Sequence, residues 1–123
     1  MIERLQGFPA NVLGFACHGV VKRQDYDTVL VPAVHEALKS HDKLRLYYEV
    51  AADFTAIEPG AVWEDFKTGM EHLTRWERMA VVTDVDWIKH AMQFFSFMLP
   101  GELRTFPLSQ AAQARAWVEA GAD

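Results

Sequence analysis

The sequence predicts an α/β layer fold: a mixed, mostly parallel five-stranded sheet flanked by about four helices and entered through an N-terminal β-hairpin. Three observations carry that prediction. Short β-rich runs alternate with helical patterns along the chain. The run VLGFACHGVV, Val12 to Val21, is apolar at both parities, as a strand covered on both faces must be. Turn residues Gly7, Pro9 and Asn11 separate it from a shorter run, Ile2 to Gln6, so the chain opens as a hairpin.

The remaining elements follow in order. Asp25 to Ser40 places Tyr26, Val29, Leu30, Ala33, Val34, Ala37 and Leu38 at helical spacing, with Asp25 as N-cap. Pro32 conflicts with an unbroken helix. The alternatives are a solvent-side kink or a helix that begins near Pro32. Lys43 to Val50 (KLRLYYEV) is rich in β-formers and reads as a strand, and Ala51 to Pro59 as a loop. A helix from Gly60 or Ala61 to Arg75 carries Val62, Phe66, Met70 and Leu73 on one stripe, with Trp63 beside it. Glu64 and Asp65 favour its positive end. Arg78 to Thr83 is a short buried strand. Asp84 or Asp86 caps a helix over Val85 to Leu99, which Pro100-Gly101 ends. Leu103 to Phe106 is an edge strand, and Ser109 caps a last helix reaching about Ala120. The order β-β-α-β-α-β-α-β-α fits one domain over residues 1–123.

Composition narrows the function classes. Of 123 residues, 50% are hydrophobic and 24% charged, an ordinary globular balance. The net charge of −5 disfavours nucleic acid or anionic lipid held by bulk charge. The single Cys17 excludes an internal disulfide framework and a multi-cysteine metal site, and within an apolar strand it acts as a small hydrophobe. The longest apolar cluster, Phe94 to Leu99, falls far short of the ~20 residues that span a bilayer. No secretory pattern opens the chain, so a cytoplasmic protein with at most peripheral membrane contact is expected.

Catalytic signatures are missing from the sequence. The five histidines form neither HxH nor HExxH, so no metal site is expected, and His35, His41 and His72 read as surface residues. Ser40, Ser96 and Ser109 lie in neither GxSxG nor SxxK. No Gly-rich phosphate loop follows a strand, so no cofactor is expected. The expectation is therefore a protein that is not an enzyme. In open α/β sheets ligands bind beyond the carboxyl ends of the parallel strands. Those ends carry His18, Asp53 with Phe54, and Asp84, which either converge on a ligand or only cap and brace loops.

One helix is unusual. In WIKHAMQFFSFML, Lys89, Gln93 and Ser96 form a narrow polar stripe, while Ile88, Ala91, Met92, Phe95, Met98 and Leu99 form a core stripe. Trp87, Phe94 and Phe97, with His90 among them, widen the apolar arc to roughly 220°, against the ~100° that a one-sided surface helix needs. The surplus must bury against Trp63 and Phe66 of the preceding helix, a second subunit, a hydrophobic ligand or a membrane surface. Breakers at Pro59-Gly60 and Pro100-Gly101 bracket this helix pair, which suggests a lid over an apolar groove.

The segments LRLYYEV, VWEDFKTG, RMAVVTDVDWIK and FP…ARAWVEA, in this order of elements, resemble the SpoIIAA-like family. That family belongs with the STAS domains, the group containing bacterial anti-sigma-factor antagonists. The resemblance implies a STAS-like α/β fold without catalytic machinery. In the signalling antagonists a phosphorylatable Ser sits in a loop before a helix. The corresponding segment here, AADFTAIEPG, has no Ser, and Thr55 is its only hydroxyl, so the phosphoswitch is not expected. The family also resembles lipid-carrying CRAL-TRIO domains in architecture. The resulting expectation is a binding domain for an apolar small molecule, a lipid or a membrane surface, through Trp63, Phe66, Trp87, Phe94 and Phe97 with Asp53 and Asp84 at the rim. The alternative is a regulatory protein-interaction module whose aromatic flank meets a partner or a homodimer mate.

Overall fold

Five strands form one sheet in the order β1-β2-β3-β4-β5: β1 Ile2–Leu5, β2 Val12–Val21, β3 Leu44–Ile57, β4 Trp76–Val82 and β5 Glu102–Phe106. β1 pairs antiparallel with β2, and every later pair is parallel. The predicted hairpin and mixed sheet are therefore present. The structure is a computed structural model that describes residues 1–122; the side chains of Asp65 and Phe66 lie outside the described set.

Strands β2 to β5 are added in sequence order in one direction, so right-handed crossovers all fall on one face of the sheet. Side-chain parity agrees. Leu13, Phe15, Leu44, Leu46 and Met79 pack with Tyr26, Leu30, Val34, Ala61 and Leu99 from the crossover segments. The opposite parity, Val12, Tyr47, Ala80, Val82 and Phe106, packs with Ala114 and Val118 of the last helix, α5 (Ala111–Glu119). One helix thus covers one face, and three crossovers share the other.

The first crossover departs from the expected helix. A short α1 (Arg23–Asp25) passes into a π-helical turn at Tyr26–Leu30 and then α2 (Val31–Leu38). Pro32 lies in the first turn of α2, where its missing N–H costs least, and the π-turn absorbs the change of register. Asp25 is not the N-cap; its carboxylate accepts from the Lys22 backbone N–H at 2.7 Å.

Three further expectations are corrected. The predicted loop Ala51–Pro59 is mostly strand, because β3 keeps pairing with β2 as far as Val21↔Ile57. β4 stops pairing at Glu49↔Val82, so this extension has a neighbour on one side only and lacks the apolar pattern of a covered strand. Neither Asp84 nor Asp86 caps α4 (Asp86–Ser96), whose N-cap is Val85; Asp84 instead accepts from the Leu108 backbone N–H at 3.1 Å. Ser109 lies in a 3-10 turn, Leu108–Gln110, ahead of α5 and makes no cap bond. The remaining crossover helix, α3, spans Pro59–Glu71 and begins at Pro59.

Candidate functional site

Crossover helices α3 and α4 do not close over the sheet. Between them runs an apolar groove of about 350 Å³, floored by Leu46, Trp76 and Met79 and walled by Val62, Gly69, Met92 and Phe95. That volume lies within the range of small-ligand pockets. A smaller hollow of about 110 Å³ continues it toward the start of α4, sharing Leu46, Val62, Met79, Ala91 and Met92 and adding Tyr48, Ile57, Val81, Trp87 and Ile88. Polar groups on this lining are few: Thr68, the hydroxyl of Tyr48, which is hydrogen-bonded to Tyr26, and Trp76. The indole Nε1 of Trp76 is buried with no partner among the described residues.

Local sequence shapes the groove wall. Gly69 faces Phe95 so closely that an added Cβ would stand 3.2 Å from the ring, so the missing side chain lets the phenyl pack tightly against α3 in the groove wall. Ile88 and Leu99 anchor the α4 segment in the core, with Met92 and Phe95 half-buried beside them. Ala91 and Met98, expected on the core stripe, are exposed instead, because they border the groove.

The surplus rings are largely exposed. Trp63 is 60% exposed, Trp87 52%, Phe94 70% and Phe97 89%. Among the described residues there are nine exposed large apolar side chains, and seven belong to α3, α4 or the turn after α4: these four rings with Val62, Met70 and Met98. Exposed apolar side chains are thus concentrated on this helix pair and the turn that follows it. The Phe66 side chain lies outside the described residues, so its expected place beside the groove has no structural counterpart here.

The expected polar rim splits in two. Asp53 does meet His18: Asp53 Oδ1 lies 2.9 Å from Nδ1, and Glu3 Oε1 lies 3.1 Å from Nε2. This carboxylate–imidazole–carboxylate row crosses β3, β2 and β1. A β-bulge sets it, since the register passes from Cys17↔Val50 to Gly19↔Phe54, and Gly19 takes φ +56°. The Asp53 hydrogen bond, ahead of the opposing desolvation, lifts the His18 pKa above its ordinary 6.5, and Glu3 adds to it. Asp84 does not join them, because it braces the entry to α5. His72, expected on the surface, is half-buried against His35, with Nε2 enclosed and without a partner among the described residues. Burial lowers its pKa. Thr55 lies on the exposed extension of β3, not in a loop before a helix.

Of the predicted rings, Phe94 lines the groove and Trp87 its continuation, while Trp63 and Phe97 line neither; the floor was missed. Leu46, Trp76 and Met79 read as ordinary strand residues. Gly69 inside a helix, opposite an aromatic-rich segment, was the one available sign of a close approach.

A family model described as SpoIIAA-like matches residues 12–119. Among solved structures, the chain is similar to an uncharacterised protein of the DUF3478 family with a SpoIIAA-like fold from Shewanella loihica PV-4. The TM-score is 0.74 at 20% identity, over 96% of this chain and 92% of that one. At that identity the likeness concerns the fold. No curated protein matches the chain.

Proposed function

The chain belongs to the SpoIIAA-like family, and from that premise we propose that it is a non-enzymatic binding domain whose α3/α4 groove takes an apolar or amphipathic ligand, in solution or at a membrane surface. The single observation that supports this reading is the pairing of a 350 Å³ apolar groove with four outward aromatic rings on its two helices. Burying a solvent-facing ring yields several kcal/mol for the set at ~25 cal/mol/Å², even if half the surface is used. No helix among the described residues is long and apolar enough to cross a membrane, so membrane contact would be peripheral. The net charge of −5 gives no attraction to anionic lipid, which leaves hydrophobic insertion as the driving term.

The test is flotation with neutral phosphatidylcholine vesicles, comparing wild type with Trp87→Ala/Phe94→Ala, alongside native mass spectrometry of protein purified from its host. The expected results are a loss of at least about tenfold in vesicle partitioning, or a co-purifying apolar compound. Equal partitioning of both proteins, with no bound compound, would contradict the proposal.

A second reading, a STAS-type regulatory interaction module lacking the phosphorylatable serine, draws on the family and on the same exposed rings. Capture of a protein partner that Phe94→Ala abolishes would favour it.

A further inference from the structure

We propose that the α3/α4 face is also a self-association surface, and that a second copy of this chain roofs the apolar groove. The inference rests on the groove being a ligand site, and it names what completes that site.

Two observations carry it. The first is area. The four outward rings leave on the order of 500 Å² exposed, at 150–250 Å² per ring. Adding the partly exposed Val62, Met70 and Met98 brings the exposed apolar surface of the two helices and the following turn near the ~800 Å² that each partner buries in a standard interface.

The second observation is spacing. Trp87, Ala91, Phe94 and Met98 are all exposed and follow one another at intervals of four, three and four residues. A helix that presents apolar side chains every 3.5 residues on average offers a seam for another helix, with knobs seated in facing holes. Ala91 near the middle of the seam lets a second backbone come close. In an antiparallel pairing centred between Met92 and Gln93, Met98 of the partner subunit meets Trp87 and Phe94 of the partner subunit meets Ala91, with Phe97 flanking the seam, which is the self-complementary contact a two-fold interface requires. The seam residues Trp87, Ala91, Phe94 and Met98 are themselves groove-lining residues. A copy docked there covers the side on which the groove is open and removes its ligand from water.

The experiment is sedimentation velocity over a wide concentration range, run in parallel with binding of the fluorescent apolar probe anilinonaphthalene sulfonate, for wild type and Phe97→Glu. Phe97 is almost wholly exposed, so the substitution leaves the fold intact, and circular dichroism checks this. The expected result is a wild-type dimer whose dissociation constant rises about thirtyfold in Phe97→Glu (about 2 kcal/mol at 1.4 kcal/mol per tenfold), with probe affinity falling in step. A wild type that stays monomeric at every concentration yet binds the probe would overturn the roof and leave the ligand site standing. A dimer unaffected by Phe97→Glu would overturn it too, since the contact would lie on another face. A dimer with no probe binding would overturn the ligand reading and, with it, the roof. Monomers that float with neutral vesicles while the rings insert would give the face to a membrane and defeat the proposal.

Discussion

Single residues set the chemistry at the two ends of the sheet. His18 sits between Asp53 and Glu3 and binds its proton more tightly when folded than its ordinary pKa of 6.5 implies. A group whose folded pKa is raised contributes stability that is complete below the unfolded value. That stability disappears as pH climbs through the folded one. His18→Gln should therefore cost up to about 1 kcal/mol near pH 5, the scale of a largely exposed ion pair, and nothing in mildly alkaline solution. Urea unfolding of both proteins across this range checks it, and a penalty that does not change with pH would contradict it. His72 works with the opposite sign, because burial holds its pKa down and the cost appears on acidification. It is the same in both proteins and cancels from the difference. His18 and Asp53 read from sequence as strand-end groups with Asp84 beside them, but Asp53 lies inside β3, and the bulge that aims it at His18 could not be read. A bulge depends on the partner strand, and two extra residues leave no periodic mark in either run.

Among the elements, the end of α4 shows how a breaker can be a fixture. Pro100-Gly101 looks like a hinge in the sequence. In the structure a Cβ at residue 101 would collide with the backbone oxygens of Trp76 and Glu77. The turn is packed against the start of β4, so any movement of α4 must begin elsewhere. Gly101→Ala should lower stability by about 1–3 kcal/mol, as overpacking against backbone does. A thermal unfolding curve unchanged from wild type would show that the contact is slack. Element types were legible wherever faces are covered: β2 and β4, covered on both faces, read as continuous apolar runs, and α3, α4 and α5 carry a period near 3.6. They were not legible where pairing has one side only, as in the extension of β3 past Val50, or where a helix changes its hydrogen-bond register, as at Tyr26–Leu30. Asp25, Asp84 and Ser109 are residues that suit caps, but Asp25 sits at the third position of its turn and accepts from the Lys22 amide three residues back, while Asp84 accepts from the distant Leu108 amide.

At the scale of the whole molecule, topology decides where a site can be. Four strands added in one direction put three crossovers on one face, and that face must be tiled by segments of unequal length. The π-turn and α2 cover the β2 side, α4 reaches β5, and the strip above β3 and β4 is left between α3 and α4. The excess of aromatic surface on α4 pointed to that strip from sequence alone, whereas the groove floor stayed hidden because its residues look like any sheet core. Methionines report on the strip without added labels. Met79, Met92 and Met98 line the groove and Met1 does not. The most direct measurement is a methyl-resonance titration of labelled methionines with dodecylphosphocholine kept below its micelle concentration. The account predicts saturable shifts at Met79 and Met92, comparable or smaller ones at Met98, and none at Met1. Shifts that grow linearly without saturating, or that leave Met79 and Met92 unmoved, would contradict an apolar ligand site between α3 and α4.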